Sequence, residues 1–392
     1  MIRLLYFYFG FLTYLAGISG LNSIRYIFLI ILSVWSVVKI IATKQIILNK
    51  NDIKIVRIFI ALILISVIST MLFWYDTCNI DIITPYIRLI LLLPIMYIVY
   101  IRKDIKLIKA IFRYSIIINF ISLGLLISDI SKFSQFRGMF SHGNFYSFYL
   151  VGIIVLSIYY LFKSMELWKK VAIYIFFLIN ILLLLACGSK TAMSSLVVII
   201  CLYFIIFYKK SIKNKSTKKY LLLGIFIFAG ISIGSLLIMN KEFLLNFRSF
   251  NVNYQLSGGQ MNSFQWRLYN WSKVFQEWIT IKKAFIVGLG WGSETYYGIG
   301  YSMHNEYFRM LYNLGFMGLV LYIFILVNLF KIGLGISLSE YKFLLIGICL
   351  ILIVGSCFEN IFVAVETTNF YMLIIPSILK LKNNNKGGNK IE

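Results

Sequence analysis

Charge is scarce in this chain, and acidic charge is scarcest. Only 13% of the 392 residues are charged, about half of the roughly 25% that soluble domains carry. There are 14 acidic residues against 38 lysines and arginines, and only 3 prolines. Hydrophobic residues make up 60%, and the mean hydropathy is +0.87. These proportions exclude a soluble or disordered protein and predict an all-α integral membrane protein, because lipid offers the backbone no hydrogen-bond partners.

The formal net charge is +24, and the positions of the basic residues in the chain exclude nucleic acid as a partner. Most basic residues fall in short loops between apolar runs, on alternate loops, which is the positive-inside pattern. The loop KKSIKNKSTKK (209–219) and the polar tail 381–392 belong to this set. We therefore predict a multi-pass protein of the plasma (inner) membrane with both termini in the cytoplasm and a disordered cytoplasmic tail.

Histidine and cysteine are also few, and their spacing does not match common metal-binding motifs. The 2 histidines are His142 and His304, and the 5 cysteines form no CxxC or CxxH pair. We predict no metal and no cofactor. The GLGWG stretch (288–292) lacks the strand–loop–helix setting and the following Lys-Ser/Thr of a phosphate loop. We interpret it as a flexible turn.

Long apolar runs are what the chain has in abundance, and they predict about 12 transmembrane helices. Nine fall within residues 1–239 and three within 305–380, and one long external segment, 240–304, separates the two groups. Loops of that length are usually functional or disordered. The predicted spans are near 3–20, 24–43, 55–74, 83–101, 110–128, 144–162, 171–187, 191–208, 221–239, 306–330, 343–358 and 363–380.

The long external segment contains a pattern typical of an amphipathic helix. Residues 263–282 place five large apolar side chains at helical spacing on one stripe. Three tryptophans on such a helix suit the membrane interface, so we predict that it lies on the outer surface and packs against the bundle. A purely structural helix would give the same pattern. The stripe comprises Phe264, Leu268, Trp271, Phe275 and Trp278.

His304 stands just before the tenth predicted span, on its outer side. The partial positive charge of a helix N-terminus favours the neutral ring, which can accept a proton from a hydroxyl group. Glu306 acts in the opposite direction by favouring the cation, and it is itself a candidate base. A polar residue at the membrane interface is the alternative interpretation of His304.

Cations accumulate on the outer side, against the positive-inside trend. Such a cluster indicates an anionic ligand such as a diphosphate, although snorkelling toward lipid headgroups is the competing explanation. The candidates are Arg88 inside the fourth span, Arg137 in the loop 129–143, Lys190 at the start of the eighth span, Arg267 on the amphipathic helix and Arg309 after His304.

The order of the motifs resembles the O-antigen ligase and polymerase superfamily of bacterial surface polysaccharide enzymes. The matching pieces are an R-G-x-F-x-x-x-N loop from Arg137 to Asn144, G-S-K-T-A at 188–192, R-x-x-x-W from Arg267 to Trp271, G-x-G at 288–290, and H-N-x-x-x-x-x-L-x-x-x-G from His304 to Gly315. Two positions depart from the family pattern. His142 stands where proline is frequent, and Lys190 stands where arginine is common, which loses the bidentate fork. For His142, loop capping is preferred to sugar contact.

The resemblance implies a GT-C-like glycosyltransferase that inverts configuration, needs no metal and acts on the outer face of the membrane. The donor would be an oligosaccharide on undecaprenyl diphosphate. His304 would act as the base or orient the acceptor, with Glu306 as the alternative. Arg137 and Arg267 would bind the diphosphate, supported by Arg88, Lys190 and Arg309, and the sugar-binding candidates are Trp291, Tyr301 and Asn305.

Three functions fit this resemblance or its topology. The first is a polymerase that joins lipid-linked repeat units into capsule, exopolysaccharide or O-antigen, beside a flippase and a chain-length regulator. The second is a ligase that moves finished glycan to another acceptor. The third is a transporter of lipid-linked glycan, which predicts helices interrupted by Gly or Pro, whereas the spans here read as mostly uninterrupted. An Ile-, Lys- and Asn-rich composition, typical of low-GC genomes in which lipid A is often absent, favours the polymerase.

Overall fold

The described part of the chain is helical throughout. The computed structural model describes residues 1–15, 18, 21–43, 50–73, 80–102, 105–133, 135–162, 165–208, 263–281, 284–290, 293, 303–336, 339–357, 359–361 and 365–379. Its α-helices are α1 (Ile2–Gly10), α2 (Leu21–Thr43), α3 (Lys50–Phe73), α4 (Ile80–Arg102), α5 (Ile105–Ser128), α6 (Gly143–Leu161), α7 (Leu167–Cys187), α8 (Lys190–Tyr208), α9 (Ser263–Thr280), α10 (Ala284–Val287), α11 (Glu306–Leu334), α12 (Ser339–Ser356) and α13 (Val365–Leu379).

Several of these helices are long and apolar enough to cross a membrane, which confirms a multi-pass protein. Shorter apolar stretches lie in α3, α4, α8 and α13. The predicted span 221–239 and the tail 381–392 fall outside the described residues, so the count of twelve stays a prediction. The five long candidates are Ser23–Thr43, Ile105–Ser128, Gly143–Leu161, Leu167–Cys187 and Glu306–Leu334.

The first predicted span, near 3–20, is wrong as one continuous helix. α1 ends at Gly10, and a short 3-10 helix, Leu12–Tyr14, follows it. A Cβ atom at Gly10 would lie 2.3 Å from Tyr114 on α5, so glycine lets the two helices approach closely. Tyr14 is fully buried, at 0% exposure. The N-terminal segment is therefore packed into the bundle, where tertiary contacts override the hydropathy pattern.

α6 is the most enclosed of the five long helices. Of its most apolar window 78% is buried inside the protein, against 22% for α2. It packs on α7, α8, α12 and α13, and the Tyr371 hydroxyl donates to the Phe148 carbonyl at 2.7 Å. Since α6 is held on several sides, the residues at its N-terminus have a fixed position relative to α12 and α13.

α11 is interrupted at Gly315, which corrects the expectation of uninterrupted spans. Gly315 has φ 68° and ψ −169°, a conformation essentially restricted to glycine. The interruption frees carbonyl groups of the preceding turn, and other elements satisfy them. The Leu289 amide donates to the Tyr312 carbonyl at 2.9 Å, and the Gly290 amide to the Asn313 carbonyl at 2.9 Å. The Ser69 hydroxyl of α3 also donates to the Asn313 carbonyl, at 2.9 Å.

The G-x-G stretch is consequently a structural element, and the interpretation of it as a flexible turn is wrong for residues 288–290. A Cβ atom at Gly288 would lie 2.3 Å from the carbonyl carbon and oxygen of Asn313. One at Gly315 would lie 2.3 Å from the Ile286 carbonyl oxygen. The two backbones thus meet directly, and two amides of the stretch are already bonded to α11. This contact ties the segment that carries α9 and α10 to the helix that follows His304.

We predict that Gly288→Ala destabilises the protein by more than about 2 kcal/mol, because a Cβ would collide with rigid backbone at a positive φ of 76°. The measurement is thermal unfolding of the purified protein in detergent. Gly124→Ala in α5 is the matched control, since a Cβ there meets nothing within 4 Å, and it should be neutral or slightly stabilising. Equal stability of the two variants would contradict the packing described here.

Candidate functional site

His304 lies directly before α11 in a strained backbone conformation. Its φ is +46°, and it is the one non-glycine residue with positive φ in the described part of the chain. Such a conformation costs about 1–2 kcal/mol and persists where neighbouring contacts enforce it. Asn305 supplies these contacts: its side-chain oxygen accepts from the Phe308 amide at 3.0 Å as the helix N-cap. Its backbone amide donates to the Asn360 side-chain oxygen at 3.0 Å.

The segment after α12 runs alongside His304 and Asn305. The Asn305 side-chain amide donates to the Cys357 carbonyl at 2.8 Å, so two separate bonds join these segments. Both the oxygen and the nitrogen of the Asn305 side chain are therefore engaged within the protein. Its geometry supports a positioning role more directly than the predicted sugar contact.

Glu359 brings the site together. One of its carboxylate oxygens lies 2.7 Å from His304 Nδ1, and the other accepts from Asn144 Nδ2 at 2.6 Å. The Glu359 side chain is 3% exposed and that of His304 is 25% exposed. The carboxylate is thus shielded from water, whereas part of the histidine side chain remains accessible.

Arg267 shares the same carboxylate. Its Nη2 lies 3.8 Å from Glu359 Oε2, close enough for electrostatic attraction and too far for a hydrogen bond. Its Nε is buried without a hydrogen-bond partner among the described residues. An arginine held by charge, with hydrogen-bond donors in reserve, is well suited to a second anion.

α9 is positioned by Trp271. The indole Nε1 donates to the Met303 carbonyl at 2.7 Å, directly before His304, and the ring stacks on Phe308 at 5.6 Å. These contacts fix the helix that carries Arg267 against the start of α11. Leu268 and Phe275 of the predicted apolar stripe are 41% and 44% exposed, so they are available to a membrane surface, and the interfacial position of α9 stays a prediction. The buried face combines polar and apolar groups: Asn270, Val274 and Trp278.

The loop that contains Arg137 joins the G-S-K-T-A turn. The Phe136 amide donates to the Ala186 carbonyl at 3.2 Å, and Gly138 has a positive φ of 55°. Arg137 is exposed near this junction, and Lys190 is exposed at the first position of α8. The loop ends at α6, whose Asn144 bonds Glu359, so two of the predicted motifs are connected through α6 to the histidine.

His142 caps α6, as the sequence predicted. Its backbone is extended, and its Nδ1 accepts from the Asn144 amide at 3.2 Å. The ring therefore substitutes for the Ser, Thr, Asp or Asn usual at this position. It also helps to place Asn144, the residue that bonds Glu359.

Glu306 and Arg309 form a buried ion pair within the first turn of α11. Arg309 Nε donates to Glu306 Oε1 at 3.0 Å, and Nη2 reaches the same oxygen. Their side chains are 0% and 1% exposed. A carboxylate so enclosed is poorly placed to receive a proton from an acceptor, and the charge of Arg309 is neutralised locally. The pair is better suited to fixing the start of α11 than to contacting substrate.

The other predicted site residues lie apart from these contacts or outside the described residues. Arg88 is buried, at 6% exposure, on α4, which packs on α2 and α13. Trp291 and Tyr301 fall outside the described residues. Within the described residues, no group of three or more His, Cys, Asp or Glu could hold a metal ion.

Glu359 is the residue that sequence reasoning missed. It lies in CFENIFVAV, between the last two predicted spans, and reads there as an ordinary external charge. The signal that could have indicated it is the adjacent polar pair Glu359-Asn360 within an otherwise apolar stretch. Both side chains contact His304-Asn305, 55 residues earlier in the chain.

Comparison with known proteins supports the resemblance. Residues 173–323 match the family model described as O-antigen ligase. The resemblance to the O-antigen ligase and polymerase superfamily is thereby confirmed over a stretch that includes Lys190, Arg267 and His304. Arg137, Asn144 and Glu359 lie outside it. No curated protein matches the chain.

We predict that Arg309→Met alone destabilises the protein by about 3–5 kcal/mol, because it strands the buried Glu306 carboxylate. The double variant Glu306→Gln/Arg309→Met should recover most of that loss, since both charges are then removed. Thermal unfolding of the single and double variants measures the difference. If the single variant is as stable as the double, the two side chains are not an energetically coupled pair.

Proposed function

We propose that this protein polymerises oligosaccharide repeat units carried on undecaprenyl diphosphate into a surface polysaccharide such as capsule, exopolysaccharide or O-antigen. The observation that supports this most is the convergence of His304, Asn144 and Arg267 on one buried carboxylate, Glu359. It combines a proton acceptor with an anion-binding group, the two functions that this transfer requires.

His304 is the proposed base. In the tautomer that we propose, Nδ1 donates its proton to the Glu359 carboxylate at 2.7 Å, and Nε2 is the nitrogen that would accept a proton from the acceptor. The acceptor hydroxyl gives its proton to Nε2 as its oxygen bonds to the anomeric carbon. The carbon–oxygen bond to the diphosphate breaks on the opposite face, and its electron pair leaves with undecaprenyl diphosphate. Attack from the opposite face inverts the configuration.

The leaving group needs cations rather than a proton donor, because a lipid diphosphate is already ionised. Arg267 has its Nε unbonded within the described residues and presents a planar fork of donors. Arg137 and Lys190 are exposed and add positive charge. The proposed division of labour needs no metal, and we propose that the reaction takes place on the outer face of a GT-C-like membrane enzyme that acts beside a flippase and a chain-length regulator.

Transfer of finished glycan to another acceptor is the second candidate function. The description of the matching family as O-antigen ligase favours it. The same base and cations would serve a ligase, since the two reactions differ only in the acceptor. A transporter without catalysis is a third candidate, to which the interruption of α11 at Gly315 lends some support. Such a transporter has no need of a histidine oriented by a carboxylate.

One assay separates these three candidates. Purified protein in nanodiscs would receive undecaprenyl-diphosphate-linked repeat units and no other acceptor. A polymerase forms a ladder of chain lengths, whereas a ligase forms product only when a second acceptor is added. A transporter forms none with either acceptor.

We predict that His304→Ala lowers the rate of glycan transfer by about 100-fold or more, because the acceptor loses its proton acceptor. Binding of undecaprenyl diphosphate should be nearly unchanged, since the cations remain. The matched control is His142→Asn, which replaces the other histidine with a good N-cap residue and should keep wild-type activity. A folded His304→Ala variant with full activity would exclude His304 as the base.

A further inference from the structure

We propose that Glu359 is a positioning residue that couples donor binding to base orientation, because it holds His304 and Arg267 with the same carboxylate. This inference rests on the proposed function and adds regulation to that site. The contacts differ in kind. His304 Nδ1 and Asn144 Nδ2 lie within hydrogen-bond distance of the carboxylate, at 2.7 Å and 2.6 Å, whereas Arg267 Nη2 lies at 3.8 Å.

The geometry makes the arginine the partner that is easiest to displace. Of the three partners of the Glu359 carboxylate, Arg267 is the one that lies beyond hydrogen-bond distance, so its exchange for another anion leaves both hydrogen bonds of the carboxylate intact. A diphosphate offers several oxygens to the guanidinium fork, while Glu359 offers a single contact. Donor binding would therefore draw Arg267 from the carboxylate to the diphosphate, and Glu359 would remain bonded to His304 and Asn144.

This exchange changes the electrostatic surroundings of His304. While Arg267 lies beside Glu359, its positive charge offsets the carboxylate and weakens the stabilisation of a protonated ring. When Arg267 contacts the diphosphate, Glu359 stabilises the imidazolium that forms as the acceptor loses its proton. The base would therefore be most effective when donor is present. Other charged and titratable groups on the elements that contact His304 or Glu359 include the Glu306–Arg309 pair and Tyr307 of α11, Lys273 of α9, His142 and Arg137 before α6, and Cys357 after α12.

Segment 357–360 is well placed to make the coupling rigid. The Cys357 carbonyl and the Asn360 side chain both bond Asn305, and the Glu359 amide donates to the Gly355 carbonyl at 2.9 Å at the end of α12. The backbone that carries the carboxylate is therefore fixed, and a carboxylate that followed Arg267 would have to break its own bonds to His304 and Asn144. Since Trp271 also fixes α9, the Arg267 side chain, which has no hydrogen bond to the carboxylate, is the component that moves.

The first test measures binding of undecaprenyl diphosphate to the protein in nanodiscs. Glu359→Gln should bind it about 2- to 10-fold more tightly than wild type, because Arg267 no longer has a competing carboxylate. The same variant should transfer glycan more slowly, since His304 loses its orientation. A residue with only a structural role would not improve binding while slowing transfer. Glu166→Gln is the matched control, because this 61% exposed carboxylate bonds Lys169 at the surface, and it should behave as wild type.

The double variant Glu359→Gln/Arg267→Gln tests whether the tighter binding by Glu359→Gln acts through Arg267. If Arg267 and the diphosphate compete through Glu359, the double variant binds no more tightly than Arg267→Gln alone. Tightening that persists without Arg267 would overturn the coupling, because it would reflect direct repulsion between Glu359 and the diphosphate. Unchanged or weaker binding by Glu359→Gln would also overturn it, and in both cases the proposed polymerase function would stand.

The second test reads the histidine directly and does not require activity. In a His142→Asn background, His304 is the sole histidine, so nitrogen-15 histidine labelling gives a single ring to observe. Wild-type Glu359 should place the neutral ring's proton on Nδ1, and Glu359→Gln should lose that preference. An unchanged ring in the variant would exclude the positioning role.

A conservative variant keeps the proposal testable if Glu359→Gln does not fold. Glu359→Asp retains the charge but is one methylene shorter, so it should keep near wild-type binding of undecaprenyl diphosphate and lose the His304 orientation. If Glu359→Asp changes neither the affinity for undecaprenyl diphosphate nor the orientation of His304, the coupling is wrong. If wild type binds no undecaprenyl diphosphate at all, the proposed donor site fails and the coupling fails with it, while the labelled ring still reports whether Glu359 orients His304.

Discussion

The burial of the Glu359 carboxylate is the constraint on which the rest of the site depends. Removing a charge from water is costly unless partners compensate for it. Here three partners arrive from separate parts of the chain: Asn144 at the start of α6, His304 before α11 and Arg267 on α9. Each partner is fixed by its own element. Because the buried carboxylate needs all three partners, it also fixes the positions of the three helices relative to one another. A site assembled in this way keeps its geometry only while all the elements are in register.

The interruption of α11 at Gly315 also helps to fix the positions of the elements that form the site. Glycine at 288 and 315 allows backbone to meet backbone, and the Leu289 and Gly290 amides satisfy the carbonyls that the interruption frees. The segment that carries α9 and α10 is thereby tied to α11 below His304, while Trp271 ties it to Met303 directly before His304. Arg267 lies on α9, one turn before Trp271. The two attachments thus hold this segment against the start of α11.

Much of the architecture could be predicted from the sequence, because hydropathy and charge are local quantities. The apolar runs gave the multi-pass character, and the spacing of H-N-x-x-x-x-x-L-x-x-x-G placed His304 at a helix start, where Asn305 caps α11. It was harder to predict which cations are available to a ligand, because ion pairing depends on how the chain folds and not on hydropathy or charge along the sequence. Arg309 reads as an available cation in the sequence, and only the fold shows that Glu306 neutralises it. Within the predicted apolar stripe of α9, Trp271 and Trp278 donate to the carbonyls of Met303 and Ala284, whereas Leu268 and Phe275 are exposed, and the sequence pattern does not distinguish these two pairs.

Glu359 shows most clearly why the remainder lay beyond sequence reasoning. A single acidic residue between two spans carries no spacing signal, and its significance comes from a partner 55 residues earlier and another 215 residues earlier. Ion pairing within the protein also changes how strongly the predicted cation cluster attracts an anion. With Arg309 neutralised by Glu306 and Arg267 opposite Glu359, an incoming anion does not enter a uniformly positive cavity. It competes with Glu359 for Arg267, and affinity then depends on the difference between two contacts rather than on the number of cations. Under the proposed function, such a site would bind a diphosphate less tightly than five independent charges, which would favour release of the carrier after each transfer.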